Sequence, residues 1–155
     1  MLDAQQIKAL LEEDSFNLND ILILNGLINE LSLPALDLKI NLNESQKRLF
    51  LCLMHQINSK RDIISVVWND NHQRMRDNNY HQLIFKTRHL LQQHGLPGKL
   101  IITVPYHGVK FNEPLLYSLI ALSSANRINN REHHKGQVEN KSLIPRLIGL
   151  ARGLF

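Results

Sequence analysis

The spacing of hydrophobic positions changes along this chain, and each change marks an expected change of secondary structure. Over residues 3–13, DAQQIKALLEE, the side chains of Ile7, Leu10 and Leu11 fall on one face at helical spacing. Short apolar pieces broken by turn formers follow. Ile21–Leu24 precedes Asn25-Gly26, a strong reverse-turn pair. Leu31 and Leu33 flank Ser32 ahead of Pro34, and Leu36, Leu38, Ile40 and Leu42 alternate with Asp37, Lys39, Asn41 and Asn43. A period of two buries one face and wets the other, so residues 21–42 are expected to form two or three short antiparallel strands.

Beyond Asn43 the period lengthens. Asn43 suits an N-cap and Glu44 a first turn, while Leu49, Phe50, Leu53 and Ile57 keep helical spacing, which predicts a helix over 44–57. Ser59 would cap a second helix carrying Ile63, Ile64, Val66, Val67 and Trp68. Its β-branched content means that tertiary packing must hold it. Residues 69–76, NDNHQRMR, read as a polar loop. Asp77 or Asn78 then starts a third helix with Leu83, Ile84, Thr87, Leu90 and Leu91 as its apolar stripe, and Gly95 and Pro97 end it. Lys99–Val104 is expected as a strand, Pro105–Gly108 as a turn and Val109–Phe111 as the returning strand. Leu115–Leu122 reads as a short apolar helix, 126–141 as a polar flexible linker, and 142–155 as an apolar tail weakened as a helix by Pro145, Gly149 and Gly153. Trp68 and Tyr80 are expected in the core.

Composition narrows the class. At 43% hydrophobic and 21% charged residues the chain can bury a core. The single cysteine, Cys52, lies in the apolar run LFLCLM and reads as a small core residue. No Cys/His spacing fits zinc, the adjacent His133 and His134 read as solvated, and no cofactor is expected. No secretory signal or apolar stretch of membrane-spanning length is visible, which with the lone thiol points to the cytoplasm. Net charge is +4, split into −5 over residues 1–43, +5 over 44–113 and +4 over 114–155. A positive middle and tail beside an acidic start imply a surface that faces a polyanion.

Three helices followed by a hairpin make a winged helix-turn-helix, here of α+β class with N-terminal antiparallel strands. An α-helix fits the major groove of DNA, and the outer face of the third helix carries Asn78, Asn79, His81, Gln82, Lys86 and His89, donors and acceptors suited to base edges and phosphates. Residues 59–68, SKRDIISVVW, resemble the second helix of the OmpR and ToxR/CadC regulators, "S-R-E-E-L-L-x-x-V-W". Residues 78–91, NNYHQLIFKTRHLL, resemble that family's recognition helix, and 101–111, IITVPYHGVKF, its wing. The three segments occur in the family's order and spacing, and the likeness spans roughly 21–113. Thr87 stands where the family has an apolar residue, and Val109 where it has the wing tyrosine.

The resemblance implies a stand-alone transcription regulator that binds duplex DNA through residues 21–113, flanked by an extension over 1–20 and a tail over 114–155. Residues 1–43 are too few for the family's receiver domain, so control by phosphorylation is not expected. Lys60 and Arg61 are candidate phosphate contacts at a helix start, and Tyr106, His107 and Lys110 candidate contacts of the wing. Arg88 would meet phosphate or pair with a carboxylate such as Asp62. Phe85 would be a core residue or an apolar contact to a thymine methyl. Arg74 and Arg76 lie in the loop that touches RNA polymerase in the family's response regulators, and would serve that role or bind phosphate. The tail would self-associate or dock a protein partner. A protein-interaction module on the same fold is the rival reading. An enzyme finds no support, since no glycine-rich phosphate loop or nucleophile motif is present.

Overall fold

The computed structural model describes residues 1–69 and 77–133. The segment 70–76, with Arg74 and Arg76, and the apolar tail 142–155 lie outside the described residues. The fold is mixed α+β. Helix α1 (Ala4–Leu11) leads into four short strands, β1 (Ser15–Leu18), β2 (Leu22–Asn25), β3 (Glu30–Leu33) and β4 (Leu38–Asn41). Helices α2 (Glu44–Met54), α3 (Lys60–Val67) and α4 (Asp77–Gln93) follow, then the hairpin β5 (Ile101–Val104) and β6 (Gly108–Phe111), and finally α5 (Glu113–His133).

The strands form one antiparallel meander in the order β1-β2-β3-β4. Alternation places one residue in two against the helices: Leu22 and Leu24 from β2, Leu31 and Leu33 from β3, and Ile40 from β4 are buried. Register lines up Phe16, Leu24, Leu31 and Ile40 as one apolar row across all four strands. Strand β1 lies upstream of the expected strand region. Asn19 and Asp20, both at positive φ, make the tight turn that returns it to β2.

Local chemistry explains the helix ends. The Gln46 amide donates to Asn43 Oδ1 (2.8 Å), and the Asn43 amide donates to Gln46 Oε1 (3.0 Å), a reciprocal cap on α2. Ser59 Oγ accepts from the Asp62 amide at the start of α3 (3.2 Å). The far end of α3 is tied to α2, because Arg48 Nη1 donates to the Val67 carbonyl (3.1 Å). Helix α4 stops at Gly95, whose φ of 78° lets the Leu96 amide turn back onto the Leu91 carbonyl. Thr87, fully buried in that helix, donates to the Leu83 carbonyl (2.7 Å) and so leaves no orphan hydroxyl where an apolar residue would ordinarily sit.

Three expectations are corrected. The final helix is not confined to Leu115–Leu122. It runs to His133, through residues 126–133 of the expected linker. Ser123 Oγ anchors it by donating to the Ala35 carbonyl (3.3 Å). Trp68, the residue that ends α3, is half-buried and packs against the core rather than being enclosed in it. The strand expected from Lys99 starts at Ile101, since Gly98–Leu100 form a 3-10 turn. Among the described residues, no helix is long and apolar enough to cross a membrane.

Cys52 is fully buried on α2, and desolvation pushes its thiol up to about 12. Only the thiolate alkylates readily. Labelling by iodoacetamide at pH 8 is therefore expected to wait for unfolding and to track the denaturant melting curve. Rapid labelling in native buffer would contradict this burial.

Candidate functional site

The site grows from one backbone junction. The return strand of the hairpin does not end at β5. It also pairs with the residues just before α3: the Val109 amide donates to the Asn58 carbonyl (3.0 Å), and the Lys60 amide donates to the His107 carbonyl (2.8 Å). Ser59 and Gly108 thus stand opposite each other as an antiparallel bridge. The approach leaves no room for a side chain at 108. A Cβ there would overlap the Asn58 carbonyl oxygen and come within 2.7 Å of the Lys60 nitrogen.

A second tie joins the hairpin to α4. Arg88 Nε and Nη2 both donate to the Ile101 carbonyl (3.0 and 2.8 Å), and Nη2 also donates to Thr103 Oγ1 (2.9 Å). Arg88 is half-buried, and the same desolvation holds its guanidinium pKa below the ordinary value. The expected partner Asp62 is engaged elsewhere, accepting from Ser59 Oγ (2.8 Å) and from the Leu2 amide (3.2 Å). Burial pushes the Asp62 carboxyl up, yet those hydrogen bonds and the neighbouring Arg61 charge hold it below its usual range.

Between α3, α4 and the hairpin lies an open groove of about 970 Å³. It gathers Lys60 and Arg61 from the start of α3, His81, Phe85 and Arg88 from α4, and Tyr106 and His107 from the hairpin tip. Ile64 and Ile84 also line it. Among the described residues no carboxylate does, so its charges carry one sign. Tyr80 forms part of the wall, with its ring 5.3 Å from Lys60 Nζ, a cation–π distance. Burial pushes the Tyr80 hydroxyl up, the Arg88 charge opposing, and its oxygen has no hydrogen-bond partner among the described residues.

The remaining sequence candidates lie outside the groove. Asn78, Asn79, Gln82, Lys86 and His89 are exposed on the outer surface of α4, and Lys110 is exposed on β6. Phe85 is 72% exposed, which excludes the core alternative for it. Tyr106 is fully exposed at φ 59°, a backbone region where glycine or asparagine is the ordinary occupant of a turn. Sequence reasoning missed Gly108 and Thr103, whose roles depend on which backbone they approach. The glycine alone carried a signal, as the one residue in the hairpin with no side chain. No protein family matches the chain, and no curated protein is significantly similar to it.

The junction makes a direct prediction. Gly108→Ala forces a Cβ into backbone rather than into a flexible side chain, so it is expected to destabilise the fold by about 3 kcal/mol. Chemical denaturation measures this. A loss under about 1 kcal/mol would show that the strand and α3 part without penalty.

Proposed function

We propose that the chain is a winged helix-turn-helix protein that binds duplex DNA to control transcription. In this reading α4 enters the major groove, the hairpin is the wing that lies on the adjacent groove or backbone, and the start of α3 sits on phosphate. One observation carries it: a groove with cationic groups and no carboxylate among the described residues, bordered by the exposed polar face of a 17-residue helix. A single-sign groove concentrates a polyanion, and such a helix, about 25 Å long, presents several side chains to base edges at once.

The likeness of residues 59–68, 78–91 and 101–111 to the OmpR and ToxR/CadC pattern supports the same reading. It extends the proposal to a cytoplasmic regulator that meets RNA polymerase through 69–76. Arg88 then acts by fixing the angle between hairpin and α4, because its guanidinium is committed to the Ile101 carbonyl and Thr103. A second reading, a module that binds a protein on this fold, is favoured by the exposed rings of Phe85 and Tyr106 in the same groove.

Selection of genomic fragments with the full chain at physiological salt separates the two. The DNA reading expects a recurrent motif bound at least about 1,000-fold more tightly than a scrambled duplex. Affinity should fall steeply with salt, and Arg61→Ala should flatten the log–log slope by about 1 while leaving the melting temperature unchanged. Absence of enrichment, with only weak binding, would favour the protein-binding reading.

A further inference from the structure

On the outer face of α4, Phe85 is the odd residue. The helix buries Tyr80, Leu83, Ile84, Thr87 and Leu91 on one side. On the other it exposes Asn78, His81, Gln82, Lys86 and His89, all able to donate or accept hydrogen bonds. Phe85 stands in the middle of that polar surface, one turn from His81 on one side and from His89 on the other, and 72% exposed. A phenyl ring pressed against phosphate or a polar base edge would strip water from those groups and return no hydrogen bond. The major groove offers one apolar group at a base edge, the C5-methyl of thymine.

We propose that Phe85 is a specificity-determining residue that reads a C5-methylated pyrimidine, thymine in ordinary DNA, near the centre of the segment covered by α4. The inference rests on the DNA-binding reading above and adds to it which base the middle of the helix selects. The polar neighbours fix register on donors and acceptors, while the ring rewards one methyl group. Deoxyuridine keeps every donor and acceptor of thymidine and lacks only that methyl, so it isolates the contact.

The experiment takes the duplex enriched in the selection and replaces each thymine singly by deoxyuridine. Binding of the full native chain is expected to weaken about fourfold at one or two neighbouring positions, the affinity equivalent of a single buried methyl-sized group. With Phe85→Ala the same replacements should change affinity less than about twofold, because the partner of the methyl is gone. The variant should melt with the native protein, since the side chain it removes is largely outside the core. A flat uracil scan with native protein overturns the inference and leaves DNA binding standing. A penalty of equal size in Phe85→Ala also overturns it, because another residue then holds the methyl. If no duplex is enriched at all, the DNA reading fails and this inference fails with it.

Discussion

The strand that returns from the hairpin tip and the turn that starts α3 share backbone hydrogen bonds, and everything around the groove depends on that contact. The His107 carbonyl receives the Lys60 amide and the Asn58 carbonyl receives the Val109 amide. Two otherwise orphaned groups at a helix start are thereby satisfied by a strand. Through this contact the hairpin tip and the amino end of α3 move as one piece, so Tyr106 and His107 keep a fixed position relative to Lys60 and Arg61. Gly108 is the condition for it, since any larger residue drives the two chains apart. Arg88 supplies the second constraint, holding the first strand of the hairpin to α4 by three hydrogen bonds from one side chain. A planar guanidinium suits that task better than an ammonium, because its donors have fixed directions.

Energetics and function pull apart at the groove. Most of the molecule is conventionally satisfied, with capped helices, an apolar row across the sheet that is buried on β2, β3 and β4, and Thr87 bonded within its own helix. Three exceptions lie at the groove. Tyr106 sits at positive φ with its whole ring in solvent, Phe85 exposes an apolar side chain, and the Tyr80 hydroxyl is buried without a partner among the described residues. The positive φ and the unpartnered hydroxyl cost stability, and strained or unsatisfied groups tend to gather where a ligand is bound. Asn19, Asp20, Asn29, Asp37 and Gln56 also stand at positive φ and Leu27 and Ile28 are also exposed, so what sets the groove apart is the company these features keep with charges of one sign.

Much of this was legible in the sequence, and the failures have physical causes. Helix α2 announced itself through Asn43 and a clean apolar stripe, and α4 through its stripe and the Gly95 stop. Strand β1 escaped because SFNL, no shorter than the other strands, holds only two apolar residues and is never fully buried, so its alternation was too faint to read. Asn19 and Asp20 held the turn signal that would have revealed it. The extent of α5 was hidden because its later residues, SANRINNREH, have no apolar period, and only Leu116, Leu119 and Ser123 among its described residues are buried. At the site, polar exposure on α4 could be read from periodicity. The clasp of Arg88 on Ile101 and Thr103 could not, since it joins residues 13 and 15 positions apart through backbone geometry.

The central claim is that one surface, made of the outer face of α4, the start of α3 and the hairpin tip, receives duplex DNA. Amide chemical-shift mapping of the full chain, titrated with its enriched duplex, tests this most directly. The account predicts that the largest changes fall on Asn78–His89, on Lys60 and Arg61, and on Tyr106 and His107, with the β1–β4 sheet unchanged. Changes centred on that sheet or on α5, with α4 silent, would contradict it.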